Sequence, residues 1–234
     1  MKEIYYQLSE KEFRKFAISS DMEKHFSIPI NHAETILYQI NSGMYAKYFD
    51  GKKDLRCIDF GANVGLVSLY MAQFSKELYC VEPTPNHFKL LKELLDSNCG
   101  ECNVHYYDIA LNGANEDVYF RVNQSTENKI TSVNDATTIK VKGVTLSSFL
   151  EASNADKEII DFVKCDIEGG EIFAITNEEL KKTKGKIRTF FVECHPSENY
   201  GMDECREELI KRFLQHSYVI EFIDYQTFAA TYDC

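Results

Sequence analysis

Three short constellations in the chain carry residues able to do chemistry. The first is Asp59-Phe60-Gly61-Ala62-Asn63-Val64-Gly65, set between a short apolar run (56–60) and a stretch of apolar residues at helical spacing (64–74). Glycines at a strand-to-helix turn let a ligand approach the backbone closely, and the helix start behind them favours polar groups. Glu82 closes the next apolar run, 21 positions after Gly61. A carboxylate there is placed to accept both hydroxyls of a ribose. The second constellation is Lys164-Cys165-Asp166-Ile167-Glu168-Gly169-Gly170-Glu171. Asp166 ends a strand and Glu168 lies in the following turn, where open α/β sheets build their sites. Glu171 starts a helix, where a carboxylate complements the helix dipole, and is read as structural. The third is Phe190-Phe191-Val192-Glu193-Cys194-His195-Pro196. Alternation along a strand puts Glu193 and His195 on one side and Cys194 on the other.

The first constellation also limits the nucleoside. A dinucleotide fingerprint is G-x-G-x-x-G, whose second glycine clears space for a pyrophosphate. Here that position is Asn63 and the third is Leu66. Such a loop suits a nucleoside with an amino-acid tail, S-adenosylmethionine (SAM), better than NAD. A nucleotide-dependent oxidoreductase on the same sheet is the competing enzyme class. A non-catalytic interaction protein keeping the fold is the other alternative.

These residues need a scaffold that brings strand ends together. Short apolar runs at 56–60, 78–81, 104–110, 159–165 and 187–194 alternate with helical spacing at 64–74, 86–97, 170–180 and 203–216. Strand–helix repeats with short links predict a parallel sheet covered by helices on both faces. Two runs with a period of two, 117–122 and 138–146, predict antiparallel edge strands joined by a mobile polar loop, 123–136. The runs 218–223 and 228–232 are close enough only for a tight hairpin, so they are antiparallel. Residues 1–50 differ. Leu8, Phe13, Phe16 and Ala17 recur at helical spacing after Ser9 and Glu12, which have the form of a capping box. A second helix is expected over 33–49. We therefore divide the chain into a helical extension, 1–50, and a catalytic domain, 51–234. The extension either caps an active site or packs on the outside of the sheet.

Composition narrows the class. With 26 Lys+Arg against 37 Asp+Glu, the net charge of −11 argues against a nucleic-acid backbone as the main partner. No run approaches ~20 apolar residues, and the charged start is no secretory signal, so a cytoplasmic protein without a membrane partner is expected. Of eight cysteines, Cys57, Cys80, Cys165 and Cys194 sit inside apolar runs, as small core fillers do. Cys99 and Cys102 have metal-ligand spacing but no second pair to complete a structural zinc site.

In this order the motifs resemble the FkbM family of SAM-dependent methyltransferases. The likeness covers 56–218: DFGANVG at 59–65, VEPTPNHFKLLKELL at 81–95, NVHYYDIAL at 103–111, VTLSSFL at 144–150, FVKCDIEGGE at 162–171 and FVECHP at 191–196. It departs from the commoner wording at Cys165 and Gly170. The resemblance implies a class I, Rossmann-like methyltransferase fold: a seven-stranded, mostly parallel sheet of order 3-2-1-4-5-7-6, with strand 7 antiparallel. It implies SAM as donor and a hydroxyl on a small-molecule acceptor, such as a sugar or glycan. Mapped onto this chain, Asp59, Gly61, Asn63 and Gly65 serve the methionine end, and Glu82 the ribose. Asp108, Ile109 and Ala110 lie beside the adenine, and Asp166 near the sulfonium. An alcohol must lose its proton to attack a methyl group, which calls for a general base. His195 is the first candidate because its unperturbed pKa of ~6.5 suits the task. Glu193 can orient it or act itself, and Glu168 is next. Asp166, Glu168, Glu193 and His195 could instead hold a divalent cation, but their spacing does not demand one, and the metal-free route is preferred.

Overall fold

A computed structural model of the chain describes residues 2–9, 12–18, 33–121, 129–131, 135, 137–197 and 199–232. It opens with strands β1 (Lys2–Ser9) and β2 (Glu12–Ile18), paired antiparallel. The helix expected here is therefore a hairpin. Ser9 and Glu12, read as a capping box, are partners across its two strands. The stretch is rich in Ile4, Tyr5, Tyr6, Phe13 and Phe16, which favour extended backbone. The spacing of its apolar residues fits a helix equally well, and pairing decides.

The second expected helix is present in two pieces, α1 (Ala33–Asn41) and α2 (Ala46–Phe49). The break follows Asn41 and contains Gly43 at φ +82°. Ile40, Tyr45, Tyr48 and Phe49 are buried in the same core as the sheet. Phe49 meets the Phe162 ring edge-on at 4.9 Å, and Tyr45 lies 5.0 Å from Phe191. Burying a ring such as Phe49 contributes roughly 1.5–3 kcal/mol. So this part of the extension is integral to the core.

The main sheet holds β3 (Leu55–Phe60), β4 (Ser75–Val81), β5 (Asn103–Tyr107), β10 (Ile160–Cys165), β11 (Ile187–Glu193), β12 (Val219–Phe222) and β13 (Thr227–Thr231). Their spatial order is β5-β4-β3-β10-β11-β13-β12. Counted along the chain this is the expected 3-2-1-4-5-7-6. Pairs from β5 to β11 are parallel, and β13 runs antiparallel to both β11 and β12. One face is covered by α1, α2, α3 (Leu66–Ala72) and α4 (Pro85–Asn98). The other is covered by α5 (Leu146–Ala152), α6 (Glu171–Ala174), α7 (Asn177–Lys182) and α8 (Met202–Gln215). None of the described helices is long and apolar enough to cross a membrane.

Three expectations need correction. The runs with a period of two do not edge the main sheet. β7 (Asp117–Arg121) and β9 (Thr138–Val144) join β6 (Ala110–Leu111) and β8 (Lys129–Thr131) in a separate sheet of order β6-β9-β7-β8. Their alternating apolar residues, Val118, Phe120 and Val141, close a small core of their own with Ala110. The loop 123–136, expected to be mobile, lies mostly outside the described residues, and β8 falls within it. The strand expected over 104–110 is interrupted at 108–109, which lets β6 leave the main sheet for the second one. The helix expected over 170–180 is split after Ala174, where Thr176 starts α7 by accepting the Glu179 amide on its side chain.

Candidate active site

The carboxyl ends of β3, β4, β10 and β11 open into one cavity of about 470 Å³, roofed in part by α1. At the end of β3 the chain turns through Gly61 (φ +77°), Asn63 (φ +51°) and Gly65 (φ +92°) into α3. A Cβ on Gly61 would lie 1.8 Å from the Asp166 carbonyl oxygen, so only glycine fits where β3 and β10 close up. At Gly65 a Cβ would lie 2.8 Å from Leu91 Cδ1 on α4, so this glycine serves helix packing.

Glu82, at the end of β4, is buried at 5% exposure and lines the cavity. Its Oε2 accepts the Asn63 amide at 2.9 Å and its Oε1 the Thr84 amide at 2.8 Å. The Thr84 side chain hydrogen-bonds the same carboxyl, and part of its acceptor capacity stays open to a ligand hydroxyl. Burial pushes the carboxyl up to about 7 against the pull of those amides. A donating ligand hydroxyl would favour the ionised form.

Beneath the loop lies a buried charge cluster. Asp59 is fully buried, and its Oδ2 accepts the Ser68 hydroxyl at 2.6 Å. Lys164 Nζ reaches Asp166 Oδ2 at 3.0 Å, Gly61 O at 3.4 Å and Asp59 Oδ1 at 3.5 Å. Burial opposes the charge on Lys164, but Asp166 and Asp59 outweigh it and hold the ammonium protonated.

Across the cavity, four carboxylates surround His195. Glu171 Oε1 stands 3.5 Å from Nδ1 and Asp166 Oδ1 3.8 Å from it. Glu168 Oε2 lies 3.8 Å from Nε2 and Glu193 Oε1 3.9 Å from it. These are ion-pair separations, too long for well-formed hydrogen bonds. Burial alone would lower the His195 pKa, but Glu171, Asp166 and Glu168 outweigh it and hold it at about 10. Burial, then the Asp166 charge, push Glu193 up to about 7. Glu168 reaches the group through a backbone at φ +57°. Glu171 is structural, as expected, though not through the dipole of the four-residue α6. Its two oxygens accept the amides of Ile167 (2.7 Å) and Gly169 (3.0 Å) and so fix the turn. Asp166, Glu168 and His195 could together hold a divalent cation, with one ligand atom from each within 4.8 Å of the others.

Asp166, Glu168, Glu193 and His195 all line the cavity, as do Gly61, Asn63, Glu82, Ile109 and Ala110. Asp59, Gly65 and Asp108 do not: the first two lie behind the wall, and Asp108 is exposed. Sequence reasoning gave no role to Lys164, Tyr45, Gln39 or Gln226. A lysine inside an otherwise apolar strand is a readable signal for the first. The other three carry none.

A sheet of order 3-2-1-4-5-7-6 with its seventh strand antiparallel, and with a glycine loop and an acidic residue at adjacent strand ends beside one cavity, is the arrangement of the class I SAM-dependent methyltransferases. Residues 59–227 match the methyltransferase FkbM domain, and the chain belongs to that family. No curated protein matches it in sequence. Solved structures resemble it at low identity. The precorrin-6y C5,15-methyltransferase of Geobacter metallireducens is 11% identical, with a TM-score of 0.49 over 93% of this chain and 95% of that one. The SAM-bound magnesium protoporphyrin IX methyltransferase of Synechocystis is 12% identical, with a TM-score of 0.48 over 93% and 86%. A putative RNA methyltransferase of Pyrococcus horikoshii is 14% identical, with a TM-score of 0.45 over 83% of each chain. The expectation that excludes nucleic acid rests on net charge alone and gains no support from these likenesses.

Proposed function

We propose that the chain transfers a methyl group from SAM to a hydroxyl of a small polyhydroxylated metabolite, such as a sugar or glycan. The observation that carries this reading is Glu193: a carboxyl held near 7, inside the cavity, beside a cationic imidazole. A general base works best when its pKa lies near the working pH. This exchanges the roles expected from sequence. His195, held near 10, is protonated at neutral pH and cannot accept a proton there; it serves as a donor that orients the acceptor oxygen. Glu193 serves as the base.

When bound, SAM supplies an electrophilic methyl on a sulfonium. Glu82 takes the ribose hydroxyls, Gly61 and Asn63 border the methionine end, and Ile109 and Ala110 border the adenine. Asp166 faces the sulfonium charge. Glu193 would take the proton of the acceptor hydroxyl as its oxygen gains the methyl group that bound SAM would supply, with SAH as the leaving product. Holding the two reactants in line supplies much of the acceleration. The metal-free route is retained because the arrangement of these residues does not demand a cation, and turnover in excess EDTA tests it.

Two measurements test the reading. Calorimetric titration should show S-adenosylhomocysteine (SAH) binding and no comparable binding of NAD(H); the reverse removes the reading in favour of an oxidoreductase. A screen of sugars, polyols and RNA with labelled SAM should place label on a hydroxylated metabolite. Label on RNA alone would overturn the acceptor class.

A further inference from the structure

The outer edge of the main sheet carries an apolar surface that is left exposed. Val219 and Phe222 of β12 are 67% and 66% exposed, and Leu214 in the last turn of α8 is 56% exposed. Side chains of this kind scattered singly are ordinary, whereas a cluster of them marks an interaction face. Phe222 and Leu214 line one groove with Ile210 of α8. The strand itself is open. Among the described residues β12 ends the sheet, with β13 as its one neighbour. Ile223 donates to the Thr227 carbonyl at 3.0 Å, and β12 and β13 keep the same register back to Val219. Alternation along an antiparallel pair then turns the amides and carbonyls of Val219 and Glu221 toward β13, and those of Ile220 and Phe222 outward.

Edge strands are guarded by lysine, proline, a bulge or shortness. β12 has only its length of four residues. Glu221, its one charge, turns to α2, where it accepts hydrogen bonds from Lys47 and, at 3.2 Å, from Tyr48. The occupant this edge fits is a second copy of the chain. An antiparallel edge pairs with itself about a two-fold axis, so each copy supplies the strand the other lacks, and the two α8 grooves lie side by side. Charge picks out the same face. The chain carries −11, and acidic surfaces repel their own copies, but the charged side chains on this groove are Arg206, Glu207 and Lys211, two bases to one acid. None of these residues lines the cavity of the candidate active site.

We propose that the chain forms a closed two-fold dimer through β12. Backbone hydrogen bonds at Ile220 and Phe222 join the two main sheets into one, and Phe222 and Leu214 of each copy are buried against the other. Such a dimer forms whether or not the chain transfers methyl groups.

Sedimentation equilibrium of the full chain should give twice the mass of one chain at about 100 μM, a concentration that populates even a weak specific dimer. Val219→Lys combined with Phe222→Lys, both at exposed positions, should sediment as a monomer and keep the parent's far-ultraviolet circular dichroism. The Ile220 amide should exchange its hydrogen about tenfold or more slowly in the parent than in that double variant, because the dimer alone protects it. The milder Leu214→Ser should raise the Kd of the dimer about tenfold, the worth of part of one buried apolar side chain. A monomeric parent overturns the proposal, as does a parent that assembles past the dimer. A dimer that survives the double substitution puts the interface on another face and overturns it too. Should the double variant not fold, the parent and Leu214→Ser decide: fast exchange at Ile220 in a dimeric parent, or an unchanged Kd in Leu214→Ser, removes β12 from the interface.

Discussion

The two halves of the cavity are built on opposite principles. On the β3–β4 side the groups are tied down before any ligand arrives: Glu82 is held by two backbone amides at 2.8 and 2.9 Å, and Gly61 is locked against β10. On the β10–β11 side, His195 stands among four carboxylates at 3.5–3.9 Å. Tyr45 has a hydroxyl with no partner among the described residues. In the proposed scheme the first half is the mould for the cofactor, and the second is a set of charges that takes part in the proton transfer. Preorganised contacts bind tightly at little cost, whereas loosely paired charges are free to move protons.

Perturbing each half should give separable effects. Glu193→Gln should lower kcat by about 10²–10⁴-fold, the usual worth of a general base, with SAH affinity unchanged; a near-normal kcat would place the base elsewhere and blur the division. Glu82→Ala should weaken SAH binding by on the order of 100-fold, because hydrogen bonding to a charged group is lost. Titration calorimetry reads this, and retained affinity would undo the cofactor assignment. The pH profile of kcat/KM should be a bell. Its acid limb rises through about pH 7 as Glu193 ionises, and its alkaline limb falls near pH 10 as His195 loses its proton. A single limb near pH 6.5 would return the base role to an unperturbed histidine. The smallest effect is expected from excess EDTA, which should leave turnover unchanged; loss of activity would make Asp166, Glu168 and His195 cation ligands.

The same contrast explains what could be read from sequence. The sheet was legible because each core strand is a short apolar run ended by Gly, Pro or an acidic residue, and such runs leave few topologies. Glu82 was legible because one strand position after a glycine loop fixes its place. The opening hairpin was not, since Leu8, Phe13, Phe16 and Ala17 satisfy a helical period while their neighbours favour strands. Nor were the proton affinities on the β10–β11 side. His195 takes its character from Asp166, Glu168 and Glu171, which only tertiary structure gathers round one ring.

The contact between Gly61 and Asp166 has a consequence for how the protein matures. Asp59 and Gly61 emerge from a ribosome about a hundred residues before Lys164 and Asp166, which brace them. Until β10 adds beside β3, the glycine loop has no floor and Asp59 has no counter-ion. A nascent chain carrying the whole nucleoside motif is thus not yet a cofactor-binding chain. Competence arrives with the fourth strand, at the moment the two halves of the cavity first meet.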